Sequence, residues 1–272
     1  MDGDGLLYRA ANALPFQVGK DGIPVNGLRG FVGMVRGLLG RAPTHAAVAF
    51  TADPPLRKHA WDPDYKINHY EHPEEIKQQI PYAMRWAAAL GVHPFLYEGF
   101  EADDVIVTLV ARAPVGEIRI ISSDRDFYQL ITQRVRVLHP VRGTREMREV
   151  DLSGVEAAFG VQPTQVPDFK ALVGDASDDI PGVPGIGPKT AAALLRVHPT
   201  VEALLDHLEE MPRHAARLGR MRERILLNKR LATLAPVELP PLDGDLRVGE
   251  VRDAEERALE AETGLRTAAE AP

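Results

Sequence analysis

The chain has 272 residues, 44% hydrophobic and 26% charged, which is enough apolar material for a packed core and excludes wholesale disorder. Cysteine is absent, so disulfide staples, cysteine-type zinc sites and thiol nucleophiles are excluded. Basic residues number 32 against 39 acidic ones, and the resulting charge of −7 argues against a nucleic-acid binder unless the acids are gathered around divalent cations. No apolar run reaches the roughly 18 residues of a membrane span and no leader precedes Met1, so a soluble, cytoplasmic protein is expected.

In chain order, residues 45–50, 94–97, 117–122 and 135–139 read as strands, with helical patterns near 27–40, 74–90, 102–112 and 126–131 between them. This alternation predicts an α/β fold whose mostly parallel central sheet is flanked by helices. From Asp151 the pattern is helical, over 152–159, 163–173, 188–197, 200–210 and 213–234, and the Glu- and Ala-rich tail from Pro240 is expected to add one peripheral helix. Asp2-Gly3-Asp4-Gly5 resembles the turn after an opening strand, yet only Met1 precedes it. We therefore expect the true start to lie upstream and, if it does not, Asp2 to be poorly positioned on a frayed terminus.

Carboxylates occur in four clusters: Asp2 with Asp4, Glu101-Ala102-Asp103-Asp104, Asp124-Arg125-Asp126, and Asp175-Ala176-Ser177-Asp178-Asp179. Two of these sit just beyond predicted strands, at the edge where parallel sheets bind ligands, so acids from separate segments can meet on one rim. Taken singly, Asp103 and Asp104 also read as helix-capping residues, and Asp175 and Asp178 as turn formers. Acids without His or Cys suit Mg²⁺ or Mn²⁺, and a pair of such ions suits hydrolysis of a phosphodiester.

Residues 181–191 read PGVPGIGPKTA. A Gly-x-Gly turn ahead of a helix that starts at Pro188 lets a phosphate approach free backbone N–H groups beside Lys189 and Thr190; an ordinary tight helix joint is the plain alternative. Arg213, Arg217, Arg220, Arg222, Arg224, Lys229 and Arg230 read as an extension of that contact or as a solvated helix face. The segment 57–72, with Arg57, Lys58, His59, Trp61, Tyr65, Lys66 and His69, reads as a surface suited to single-stranded nucleic acid, or as a plain loop.

Together DGxxLLYRA at 2–10, GFEADDVI at 99–106, SSDRDFYQL at 122–130, VLHP at 137–140 and LVGDASDDIPGVPGIGPKTA at 172–191 resemble the bacterial 5'-3' exonuclease and flap endonuclease family. The resemblance implies a PIN/resolvase-like nuclease domain over 1–160 with a helical arch at about 52–85, then a helical DNA-binding subdomain over 161–238 with its helix-hairpin-helix at 181–191, and a peripheral tail over 239–272. It implies that Asp2, Glu101, Asp103, Asp104, Asp124, Asp126, Asp175 and Asp178 are metal ligands for two Mg²⁺ or Mn²⁺ ions. Lys66, Arg9 and Tyr8 would act at the scissile phosphate. Gly185, Ile186, Gly187, Lys189, Thr190, Lys58 and His69 would hold DNA, with a K⁺ ion at the hairpin. The expected substrate is a 5' flap, nick or branched duplex, cut in the course of replication or repair.

Thr51 stands where the family carries an Asp, and His69 where it carries an Arg, so a weakened metal site and a weaker or pH-dependent phosphate clamp are expected. These departures leave a second reading, a DNA-junction binding protein with an inactive site. A PIN-like ribonuclease shares the acid logic but does not account for the hairpin.

Overall fold

The computed structural model describes residues 1–52, 56–68, 73–114, 116–143, 145–241 and 245–265. Its elements run α1 (Gly3–Ala13), α2 (Asn26–Leu39), β1 (Ala47–Phe50), α3 (Glu74–Lys77), α4 (Ile80–Ala89), β2 (His93–Leu96), α5 (Ala102–Arg112), β3 (Ile118–Ile121), β4 (Val135–Arg142) and β5 (Glu146–Val150). Helices follow: α6 (Leu152–Phe159), α7 (Val166–Val173), α8 (Pro188–Val197), α9 (Val201–Asp206), α10 (Ala215–Arg220), α11 (Arg222–Ala232) and α12 (Asp253–Thr263). Among the described residues no helix is long and apolar enough to cross a membrane.

Strands β1 and β2 pair in parallel, as do β3 and β4, and β5 returns antiparallel on β4. The N-terminus joins the two halves. The Met1 amine donates to Ala47 O (2.8 Å), Ala49 N donates to Met1 O (3.0 Å), and Asp2 N donates to Ile121 O (3.0 Å). Two residues thus fill the place of an opening strand between β1 and β3, with Asp2 bridged in parallel to Ala49. This corrects the expectation of a frayed start: Asp2 is only 7% exposed. The segment after it is a helix rather than a turn. Asp2 caps it by accepting from Gly5 N (2.8 Å), and Leu6, Leu7 and Ala10 bury one face. Gly30 lets α2 lie close against α1, since a Cβ there would meet Ala10 Cβ at 2.5 Å.

Both faces of the sheet are covered. On one side α1, α2, α4 and α12 close over Leu28, Phe31 and Trp86; on the other α5, α6 and the turn Asp126–Leu130 close over Val105, Phe127 and Val137. The C-terminal helices form a separate apolar cluster around Leu172, Leu195, Leu204 and Ile225. Three differences from the sequence reading stand out. Strand β5 went unpredicted because only Val150 of its five residues is buried. The stretch 213–234 breaks at Met221 into α10 and α11. The tail is not peripheral: Leu259 and Leu265 are fully buried against the first core, and Arg36 pairs with Glu256 (2.9 Å).

If α12 is part of that core, Leu259→Ala should lower unfolding free energy by about 2–5 kcal/mol. In chemical denaturation, Leu152→Ala on the half-exposed face of α6 should stay within about 1 kcal/mol of the parent.

Candidate metal and phosphodiester site

The parallel strands and the N-terminus all deliver their following residues to one rim. A cavity of about 310 Å³ opens there, lined by Asp2, Asp4, Tyr8, Thr51, Lys66, Glu101, Asp103 and Asp124, among others. Its floor is held by neutral donors. Asp2 accepts from Ser122 Oγ (2.5 Å), and that same hydroxyl accepts from Asp124 N (2.9 Å). Asp4 accepts from Thr51 N (2.8 Å) and from the Thr51 hydroxyl, whose oxygen also accepts from Ala102 N (3.1 Å). Thr51 therefore ties the acid wall to the start of α5.

Burial pushes Asp2 and Asp4 up to about 6; the Asp4 charge adds to the effect at Asp2, and Glu101 adds to it at Asp4 against the pull of the Thr51 hydrogen bonds and Lys66. Asp103 is raised by burial and by Asp124. Asp124 keeps solvent contact, but the protein crowded around it raises it too, with Asp175 and Glu101 adding to the effect against the pull of Lys170 and Lys66. Glu101 goes the other way. Burial would raise it, but Lys66 (2.5 Å) and Lys58 (2.8 Å) grip its two oxygens and hold it well below the usual carboxylate range.

A second group lies beside the cavity, where carboxylate oxygens of Asp126, Asp175 and Asp178 all come within 4.8 Å of one another. The loop carrying two of them is closed by a reciprocal backbone pair between Asp175 and Ile180 (2.8 Å each way). It also needs glycine at Gly174, where φ is +85° and a Cβ would strike the Gly182 backbone. Lys170, from α7, contacts both Asp126 and Asp175. Lys66 links the two groups: its N–H donates to Asp178 O (3.1 Å) and its Nζ lies 3.4 Å from the Asp178 carboxylate. This lysine holds φ at +53°, a conformation a non-glycine residue adopts at a cost and here only with contacts on both sides.

Several residues from the sequence reading sit elsewhere. Arg9 is turned to the Val141 carbonyl (2.7 Å) and does not line the cavity, whereas Tyr8 does. Asp104 spends its oxygens on Arg57 (3.0 Å) and Glu101 N (3.3 Å), so it braces the turn instead of facing the rim. Lys58 is 2% exposed and cannot be a surface contact for DNA; its ammonium supports Glu101 and Tyr65 Oη. His69 falls outside the described residues, as does Asp53. Asp4, Ser122 and Lys170 were not singled out as site residues; the spacing of Asp4 to Asp2 and the doubled serine before Asp124 were the available signals.

At the hairpin, Ile186 N donates to Val183 O (3.0 Å), and Ile186 and Val183 are buried in the helical core. Ile186 is thus an anchor. Gly185 (φ +76°), Gly187 and Lys189 are exposed and Thr190 partly so, at the start of α8. Of the basic run, Arg217 lies against Gly185. Arg222 binds Asp206, Arg224 binds Asp62, Lys229 binds Asp168 and Glu202, and Arg230 stacks on Trp61, so these four serve internal contacts.

Residues 1–160 match the family described as 5'-3' exonuclease, N-terminal resolvase-like domain, and residues 161–253 match 5'-3' exonuclease, C-terminal SAM fold. DNA polymerase I of Bacillus caldotenax is 38% identical over 261 residues, 93% of this chain but only 30% of that polymerase, so the chain spans under a third of the curated relatives it matches. Among solved structures, the T5 D15 protein co-crystallized with metal ions superposes with a TM-score of 0.72 at 21% identity, covering 86% of this chain and 88% of its own. A bacteriophage T5 flap endonuclease in a pseudo-enzyme-product complex with DNA and metal ions superposes with a TM-score of 0.67 at 22% identity, covering 86% and 87%. On two consecutive domain matches that together account for residues 1–253, the chain belongs to the 5'-3' exonuclease family.

Proposed function

We propose that the chain is a divalent-metal-dependent 5'-3' exonuclease and flap endonuclease that hydrolyses DNA phosphodiester bonds near 5' ends or single-strand/duplex junctions. The observation that carries this reading is the meeting of acids from four separate segments on one rim. The donor set is all oxygen, which suits Mg²⁺ or Mn²⁺ rather than a His- or Cys-based zinc site. Asp2, Asp4, Asp103 and Asp124 would hold an ion in the cavity, and Asp126, Asp175 and Asp178 one beside it. Ions bound there supply activation of the attacking water and neutralise charge on the phosphate.

The chain's own groups do the remaining work. Lys66 lines the cavity with a permanent positive charge, in place to meet a phosphate oxygen, and Glu101 fixes its ammonium. Tyr8 forms part of the wall. The exposed N-terminus of α8, with Lys189 and Thr190, grips the duplex backbone without reading bases, and a K⁺ ion at the hairpin would complete that contact.

On a labelled 5'-flap DNA with Mg²⁺ or Mn²⁺, the protein should cut near the junction, and Asp124→Asn should slow cleavage by about 100-fold or more. A parent protein that leaves this substrate intact, or an Asp124→Asn variant that cuts as fast, would sink the assignment.

Lys189→Ala should weaken duplex binding and flatten the dependence of log K on log salt by about one unit, as for one lost phosphate contact.

Metal should also stabilise the fold in a pH-dependent way. Asp2 and Asp4 have folded values near 6, above their ordinary 3.8. Their contribution is therefore full below about pH 4 and lost as pH rises through 6, at roughly 3 kcal/mol each. The Met1 amine, lowered by burial to about 6, acts in the separate window between pH 6 and 8, with the opposite sign. The rise in Tm produced by Mn²⁺ should accordingly be larger at pH 7.5 than at pH 5.

A further inference from the structure

Around the cavity, each strand is followed by an acid from its own segment, with one exception. Asp2 stands between β1 and β3, Glu101 and Asp103 follow β2, and Asp124 follows β3. After β1 the described residues are Thr51 and Ala52, so the side chain that β1 presents to the cavity carries no charge.

A carboxylate nevertheless sits on that strand end, and it comes from α1. Asp4 Oδ2 accepts from Thr51 N at 2.8 Å, and the Thr51 hydroxyl donates to the same carboxylate. The hydroxyl oxygen accepts from Ala102 N at 3.1 Å. A hydroxyl has one proton to donate, and with Ala102 N on its oxygen that proton is directed to Asp4. The approach is built into the backbone: a Cβ on Gly3 would meet the Phe50 ring at 2.5 Å, so glycine there lets the first turn of α1 lie directly on the last residue of β1. The sequence agrees with this placement. Asp4 falls at a position that the DGxxLLYRA pattern leaves open, and Thr51 at the one where an acid is missing.

We propose that Asp4 is the carboxylate that β1 lacks, delivered from α1, and that Thr51 is the positioning residue that holds it at the cavity. The cavity then keeps its number of acids, and the weakened metal site expected from Thr51 alone does not arise. The assignment rests on the metal-dependent reading above and adds to it the pair of residues that restores the donor set in this chain. The carboxylate cannot rotate without losing the hydrogen bonds from both the backbone and the hydroxyl of Thr51.

The test is Mn²⁺ binding to the full, DNA-free chain at neutral pH, read by electron paramagnetic resonance of free Mn²⁺. Asp4→Ser should weaken binding by about tenfold or more, through loss of one charge at the ion. Adding Thr51→Asp to Asp4→Ser, which moves the acid onto β1 itself, should bring the affinity back to within about threefold of the parent. Thr51→Val should weaken binding by about tenfold, as for an outer hydrogen bond that orients a ligand, and Thr51→Ser should not. In the Asp4→Ser background Thr51→Val should have no further effect, whereas a purely structural threonine would add its own loss. If Asp4→Ser does not fold, as judged by circular dichroism, Asp4→Asn takes its place. An Asp4→Ser variant that binds Mn²⁺ like the parent overturns the proposal, and so does failure of Thr51→Asp to restore binding or full additivity of Asp4→Ser and Thr51→Val. In all three cases, weakening by Asp124→Asn leaves the metal-dependent reading standing. Absence of Mn²⁺ binding in the parent overturns both.

Discussion

Crowding of like charge into a small volume is the constraint around which the rest is arranged. Two carboxylates about 4 Å apart repel by roughly 4 kcal/mol at an effective dielectric near 20, and this rim holds acids from four segments. Only three remedies exist: keep a proton, import an internal cation, or bind an external one. The protein uses the first in the cavity, where Asp2 and Asp4 are pushed to about 6. It uses the second around Glu101, gripped by Lys58 and Lys66, and around Asp175, gripped by Lys170. At neutral pH the first remedy fails, and the cavity acids are left ionised and in mutual repulsion. The overall charge of −7 is in part the signature of that crowding.

Much of the architecture was legible in the sequence. Runs such as HAAVAF and EIRIIS are apolar enough to be buried strands, and the structure places β1 and β3 within them. The order of the acid clusters pointed to one rim. What escaped notice has physical reasons. A two-residue strand has no periodicity, so the role of Met1 and Asp2 in the sheet is invisible until β1 and β3 stand on either side. Asp103 and Asp104 are adjacent in sequence but project about 100° apart on a helix, so one faces the cavity and the other faces Arg57. Lys58 and Lys66 share one basic stretch, yet the partners that bury one and leave the other at the cavity come from remote segments. Lys170 lies in a helix whose pattern marks it only as a polar position.

The segment between β1 and α3 also connects the site to the helical subdomain. Trp61 lies between Arg57 (5.1 Å) and Arg230 of α11 (3.9 Å), and Arg224 of the same helix pairs with Asp62 (2.7 Å). Tyr65 is buried beside Leu231 and Ile180 while its hydroxyl points to Glu101 (3.3 Å). Lys66 follows directly, with its backbone tied to Asp178 in the loop that leads into the hairpin.

This arrangement gives the left-handed backbone of Lys66 a structural reason. An ordinary conformation would carry its N–H away from Asp178 O or its ammonium away from Glu101, and both contacts are present at once. The strain is held by anchors on two sides: Tyr65 in its apolar cluster, and Asn68, whose N–H and side-chain amide both donate to Asp179 (3.0 and 3.1 Å). Asp179 itself adopts φ +54° directly ahead of Ile180-Pro181-Gly182, the approach to the hairpin. The lysine that faces the cavity and the loop that presents the hairpin are therefore parts of one hydrogen-bonded unit. A displacement of the loop at Asp178 and Asp179 would therefore act directly on the backbone and ammonium of Lys66.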